Sequence, residues 1–142
     1  GRFSPGLNLM GFPFGKKYGN KRQKFDGYSF DSQKELDRYL VLKARLAAGQ
    51  IKDLEIHPKF VLLEGFECQG KRYAPVTFNP DFRYFDLELG KRVVEDVKAR
   101  FKYKTKKLRI HKEKPFVTEQ YTIKIRFFLR DLPPDTVFME VY

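Results

Sequence analysis

Between residues 33 and 48 the apolar positions recur every three or four residues. Tyr39, Leu42 and Leu46 fall on one stripe with Glu35, and Leu36 and Leu40 lie beside it. That period predicts a helix, opened by Asp31-Ser32-Gln33-Lys34-Glu35 and running to about Ala48. Ser32 with Glu35 three positions on makes a capping box, and Gly49 supplies the stop. Glu35 therefore lies inside or at the edge of the buried face, and Lys43, close to that face, must reach out to solvent. Shorter apolar runs follow: Ile51, Leu54 and Ile56, then Phe60 to Leu63 as a strand after Pro58. Glu67 to Lys71 reads as a turn and Tyr73 to Phe78 as extended chain. After Asn79-Pro80, the runs Asp81–Phe85 and Val93–Lys98 flank a turn at Glu88-Leu89-Gly90-Lys91, which predicts a β-hairpin. A second helix is expected from about Thr118 to Leu129, ended by Leu132-Pro133-Pro134-Asp135, with a closing strand over Val137–Tyr142. The order helix, strands, helix, strand predicts an α/β fold, a sheet with helices packed against it, in one domain over residues 25–142.

Residues 1–24 break this pattern. They carry Arg2, Lys16, Lys17, Lys21, Arg22 and Lys24 with no acid, and their aromatics have no period, so they read as a flexible basic arm or a disordered tail. A second basic cluster, Arg100, Lys102, Lys104, Lys106, Lys107, Arg109, Lys112 and Lys114, interleaves with Phe101 and Tyr103. The formal net charge is +11. Such an excess makes a polyanion a plausible partner, with nucleic acid the first candidate and a membrane surface disfavoured because no long basic amphipathic helix is present. Lys16, Lys17, Lys21, Arg22, Arg100, Lys102, Lys104, Lys106, Lys107 and, on the second helix, Lys124 are the expected phosphate contacts. Phe101 and Tyr103 suit either stacking on unpaired bases or packing within a strand. No apolar run approaches a membrane span and no leader is evident, so an intracellular protein is expected. The single cysteine, Cys68, excludes an internal disulfide and reads as an inert structural residue.

Chemistry concentrates on the hairpin. With the turn centred on Leu87 to Gly90, Asp81 pairs across the ladder with Asp96. Directly opposed side chains lie about 4.5–5.5 Å apart at Cβ. Two carboxylates so placed repel unless something positive sits between them, and a divalent cation does this. Asp96 and Lys98, two apart, share one strand face; Val97 points to the other. Hard oxygen ligands suit Mg²⁺ or Mn²⁺, and a lysine beside them can position or deprotonate an attacking water or bind a phosphate. Each residue has a plainer reading alone: Glu35 as a capping residue, Asp81 as a strand start after proline, Asp-X-Lys as a chance tripeptide. The ordered combination in a basic chain favours phosphodiester hydrolysis.

Pro80-Asp81, fourteen residues, then Asp96-Val97-Lys98 resembles the PD-(D/E)XK nuclease signature, and Glu35 matches the acid such folds often carry on their first helix. Gln120, Tyr121 and Lys124 match where that superfamily often places an auxiliary polar residue. The stretch from Tyr28 through Lys98 is also similar to a family of small phage-encoded proteins related to Holliday junction resolvases of the archaeal type. Its features include Phe30-Asp31-Ser32, Gly49-Gln50-Ile51, His57-Pro58-Lys59-Phe60 and Val94-Glu95-Asp96-Val97-Lys98. The resemblance implies a restriction-endonuclease-like core with a mixed, mostly antiparallel sheet flanked by helices. It further implies metal-dependent cleavage of branched or four-way DNA by Glu35, Asp81, Asp96 and Lys98, with the three acids holding Mg²⁺ or Mn²⁺, and the host cytoplasm as location if the chain is phage-encoded. The basic stretch 99–116 departs from the shortest family members in length.

Rival assignments remain. Glu95 adjoins Asp96 but alternation sends it to the opposite face, so Asp96 is the preferred ligand. His57, before a proline, reads as a turn residue, and His111, among lysines, as a phosphate or solvent contact. Cutting two strands of a four-way junction symmetrically calls for a homodimer. Phe116, Phe127, Phe128, Phe138 and Tyr142 are the interface candidates, with Phe128 expected in the chain's own core. Another endonuclease on duplex or branched DNA, or a non-catalytic nucleic-acid-binding module, are the competing functions.

Overall fold

The computed structural model describes residues 21–98, 100–104, 111–115 and 117–142, the segments 100–104 and 111–115 as backbone only. In chain order the elements are β1 (Gln23–Phe25), β2 (Tyr28–Phe30), α1 (Gln33–Ala47), β3 (Ile51–Ile56), β4 (Phe60–Leu63), β5 (Phe66–Cys68), β6 (Lys71–Tyr73) and β7 (Val76–Phe78). They continue with β8 (Phe82–Asp86), β9 (Lys91–Val97), β10 (Arg100–Lys104), β11 (His111–Pro115), α2 (Glu119–Arg130) and β12 (Thr136–Val141). The chain divides into two units between Asp37 and Arg38, inside α1. Both helices are amphipathic, and neither is long and apolar enough to cross a membrane.

In the first unit β1 and β2 pair antiparallel, Phe25 opposite Tyr28. Asp26 and Gly27 turn the chain with φ of 53° and 80°, the left-handed pair that suits a tight hairpin. Strand pairing thus begins at Gln23, within the stretch expected to be a flexible arm. Arg22 reaches Asp31 at 2.6 Å and Ser29 at 2.8 Å, closing the hairpin onto the start of α1.

The two ends of α1 follow their local signals. The Ser32 Oγ accepts the Glu35 N–H at 3.1 Å, and the Ser32 carbonyl accepts the first helical bond, from Leu36 N–H. At the far end Gly49 adopts φ 75°, with Gly49 N–H donating to Leu46 and Gln50 N–H to Arg45, a Schellman arrangement only a residue tolerant of positive φ closes cheaply. The stripe departs from its sequence pattern in one respect: Tyr39 and Leu42 are buried, whereas Leu40 and Leu46 are exposed. In the last turn Arg45 takes the inward place, pairing with Asp86 at 3.0 Å.

The second unit is built on a four-stranded sheet in the order β12-β9-β8-β3. β12 runs parallel to β9 and the other pairs are antiparallel, so the sheet is mixed and mostly antiparallel. One face packs on α1, where Tyr39 stacks on Phe82 with ring centroids 6.5 Å apart. The other carries a cluster of Phe78, Val94 and Phe128, flanked by Phe60, Ile125 and Phe138, in which Phe128 sits 5.0 Å from both Phe60 and Phe78. Phe128 is thus core, as its pattern implied; Phe138 is half-buried against the same cluster, Phe127 and Tyr142 are exposed, and Phe116 lies outside the described residues.

Two segments gain structure that the pattern did not announce. The turn expected over Glu67–Lys71 narrows to Gln69-Gly70, both at positive φ, joining β5 to β6. Cys68 stands at the end of β5, beside that turn, and is exposed. β10 and β11 pair antiparallel through the basic cluster, Phe101 opposite Lys114 and Tyr103 opposite Lys112.

The β8–β9 turn is held by Asp86. Its carboxylate accepts the Leu89 N–H at 3.0 Å and the Glu88 N–H at 2.9 Å, and it pairs with Arg45. The Leu89 N–H foremost, with Arg45 and the Glu88 N–H, holds the Asp86 carboxyl below the usual carboxylate range against the effect of its burial. A depressed folded-state pKa contributes stability that is fully present above the unfolded value, about 3.9, and is lost as pH falls through the folded value. Asp86→Asn should therefore be less stable than the parent at pH 7, with a gap that shrinks below about pH 4. Urea unfolding across that range checks it; a gap constant with pH would overturn the assignment.

Candidate active site

The hairpin register sets the site. Phe82 is the partner of Glu95, and the Asp81 N–H donates to the Glu95 carbonyl at 3.0 Å, which puts Asp81 one step out, beside Asp96. Asp81 sits in the bend after Pro80, just before β8, and both aspartates are buried. An Asp81 oxygen accepts the Val97 N–H at 2.6 Å, a bond that fixes its carboxylate along the β9 edge of the site. Lys98 follows β9 directly, with its backbone N–H donating to the Val141 carbonyl of β12 at 2.7 Å. Its ammonium lies 2.5 Å from an Asp96 carboxylate oxygen. Two buried carboxylates side by side repel, and Lys98 offsets part of that repulsion.

Alternation along β9 separates the two acids next to each other in sequence. Val94, Asp96 and Lys98 share the face covered by α2, and Val93 and Glu95 face α1. Glu95 is 0% exposed. It accepts two bonds from the Arg38 guanidinium, at 2.7 and 2.6 Å, and a short one from the Tyr84 hydroxyl. Burial foremost, and this bond to Glu95, push the Tyr84 phenol well above its usual range, so it stays a donor. The Glu95 bond likewise raises Arg38. Glu95 is thus consumed in a fold-internal network on the face opposite Asp96, the side that alternation assigns it.

Glu35 occupies the first turn of α1 and is buried, one helical turn ahead of Arg38. His57 occupies the bend after β3 at φ 53°, as a turn residue should. Its N–H donates to the Asp81 carbonyl at 2.9 Å, and its imidazole offers a nitrogen within 4.8 Å of an Asp81 carboxylate oxygen. Sequence spacing gave no hint of this second feature, because β3 and β8 pair only in the folded sheet.

Glu140 is a further residue the sequence did not single out. In the parallel β9–β12 register it stands beside Asp96. Its carboxylate accepts the Tyr121 hydroxyl at 2.6 Å. Tyr121 comes from the first turn of α2, whose N-cap Thr118 accepts the Tyr121 N–H at 3.1 Å. Thr77, Asn79, Asp96, Gln120, Tyr121 and Lys124 line an open cleft, so the three α2 residues singled out by position do meet the acidic site. Of the expected phosphate contacts, Lys21 and Arg22 are exposed, with Arg22 committed to Asp31, and Lys124 is half-buried at the cleft. Arg100, Lys102 and Lys104 belong to β10, while Lys16, Lys17, Lys106 and Lys107 lie outside the described residues.

Residues 15–133 match the family described as proteins of unknown function (DUF1064), and the chain belongs to that family. No curated protein and no solved structure matches the chain.

The division of labour between Glu95 and Asp96 is testable by substitution. Glu95→Ala leaves the Arg38 charge and the Tyr84 hydroxyl without their buried acceptor, and should lower the unfolding free energy by about 3 kcal/mol. Asp96→Asn should change stability far less. Urea unfolding of both variants decides the matter, and equal losses would overturn the assignment.

Proposed function

We propose that this member of the family is a metal-dependent DNA endonuclease of the PD-(D/E)XK type that resolves four-way junctions, with Glu35, Asp81, Asp96 and Lys98 as its active residues. The observation that carries the reading is the buried Asp81, at the entry to β8, beside the buried Asp96 of β9, with the Lys98 ammonium 2.5 Å from Asp96. A buried like-charged pair is costly to a fold, and a site that binds a cation is the arrangement that repays it.

A divalent cation fits the donors. His57 and Asp81 each offer one ligand atom, and these atoms lie within 4.8 Å of each other; the resemblance to the nuclease signature adds Glu35. Carboxylate oxygens suit Mg²⁺ and Mn²⁺; an imidazole nitrogen favours Mn²⁺ of the two. The cation, when bound, supplies charge neutralisation at the scissile phosphate. Asp81 would hold it with His57 beside it, and Glu35 and Asp96 would complete the set that the resemblance implies. Lys98 adds a fixed positive charge beside the reacting phosphate, where it orients the attacking water and stabilises the charge that develops on oxygen. Hydrolysis adds one water across a P–O bond, with the water oxygen joining phosphorus and its proton passing to solvent or to the leaving oxygen. Gln120 and Lys124 line the cleft beside Asp96, and in this reading they would bind the neighbouring backbone.

Labelled four-way, flap and duplex DNA, each with Mg²⁺, Mn²⁺ or chelator, tests this directly. Metal-dependent cleavage of the four-way substrate is expected, and Asp81→Asn, Asp96→Asn and Glu35→Gln should each abolish it while DNA binding persists. Cutting of duplex alone would leave a general endonuclease. Binding without cleavage under any metal would leave a nucleic-acid-binding module.

The same reading includes a two-fold homodimer, since symmetric cleavage needs two sites. It is supported by the apolar residues α2 and the C-terminus leave exposed, Ile123, Phe127, Leu129 and Tyr142. Light scattering should give a dimer, and DNA affinity should fall steeply with salt, less so once Lys102, Lys104, Lys106 and Lys107 are neutralised. A monomer both free and on junction DNA would overturn the dimer, and an unchanged salt slope the role of the basic cluster.

A further inference from the structure

Lys98 is held from two sides. Its ammonium is 2.5 Å from an Asp96 oxygen and 3.0 Å from the centroid of the Tyr121 ring. The ring is anchored in turn, because the Tyr121 hydroxyl donates to a Glu140 oxygen at 2.6 Å. Two elements meet the ammonium, β9 through Asp96 and α2 through the Tyr121 ring, and β12 anchors that ring through Glu140. The parallel register that sets Glu140 beside Asp96 brings the far end of the chain to the site.

A lysine side chain has four rotatable bonds and roughly 2 kcal/mol of rotamer entropy, so an unsupported ammonium samples many positions. Asp96 alone would not hold it in place, since a carboxylate that also ligates a cation has less negative charge to offer. The ring face attracts the ammonium through its quadrupole and does not compete for a cation through lone pairs. Burial first, then the Glu140 bond, push the Tyr121 phenol far above its usual range, so the ring remains a neutral donor to Glu140.

We propose that Tyr121, anchored by Glu140, is a positioning residue that holds the Lys98 ammonium over the reaction centre. This rests on the nuclease reading for its catalytic consequence, but the placement of Lys98 does not.

Two measurements separate the two claims. The first is the proton chemical shift of the Lys98 ε-methylene in the intact chain, read by NMR. A ring at this distance should shift it upfield in the parent and in Tyr121→Phe, and the shift should vanish in Tyr121→Leu. No upfield shift in the parent overturns the proposal, whether or not the chain cleaves DNA. The second is cleavage kinetics on the four-way substrate. Tyr121→Leu should lower kcat about 10-fold with KM for DNA little changed, and Tyr121→Phe, which keeps the ring and loses the anchor, should lower it about 3-fold. In a Lys98→Ala background Tyr121→Leu should cost nothing further. Equal losses in Phe and Leu variants, or a Leu effect that persists without Lys98, would overturn the positioning role. Thermal melts of each variant identify a folding failure, in which case the Phe variant and the parent shift carry the test. The upfield shift together with no cleavage by the parent would leave the Lys98 clamp standing and remove the nuclease reading.

Discussion

A carboxylate with no solvent exposure in the middle of β9 is the constraint around which the second unit is arranged. Glu95 must be satisfied where it sits, because an unpaired buried charge costs several kcal/mol even after relaxation. The two-pronged Arg38 bond and the Tyr84 hydroxyl meet that need, and in doing so tie α1, β8 and β9 together at one point. Strand alternation then leaves no choice for its neighbours. With Glu95 turned toward α1, Asp96 must face the opposite side, and a slip of one residue would bury Asp96 and Lys98 against α1 and expel Glu95.

The opposite face is organised by a different chemistry. Phe78, Val94 and Phe128 fill its centre with apolar surface. Toward the Asp81 end that packing gives way to polar side chains: Asp96, Lys98, Tyr121 and Glu140 follow one another in contact or in register. Strand pairing aligns the acids across β8, β9 and β12, and α2 closes over them with its first turn. The cleft that results is lined by a lysine and two amides as well as an acid, a mixture that accepts an anionic backbone more readily than an acidic wall alone would.

Several features were readable from local sequence because local physics decides them. Ser32 and Gly49 mark the ends of α1 through backbone groups within a few residues. The turn between β8 and β9 sets the Asp81–Asp96 pairing through loop length alone, and alternation told Asp96 from Glu95. The exposure of Leu40 and Leu46 escaped, since amphipathic periodicity identifies a stripe but not which of its edges finds a partner; Arg45 found Asp86 and took the inward place. The β5–β6 hairpin around Cys68 escaped for a similar reason: it has no apolar alternation to announce it.

By itself the sequence determined which residues are helix and strand near strong caps and turns, which side of β9 each acid takes, and that the chain is strongly basic. These follow from dihedral preferences, side-chain period and counted charge, none of which needs a distant partner. Only the tertiary structure decided that His57 comes to Asp81, that Glu140 stands beside Asp96, and that Tyr121 covers Lys98. Each of those joins residues more than twenty positions apart, through strand pairing or helix packing whose free energy is spread over many apolar contacts, so no local pattern in the chain encodes it.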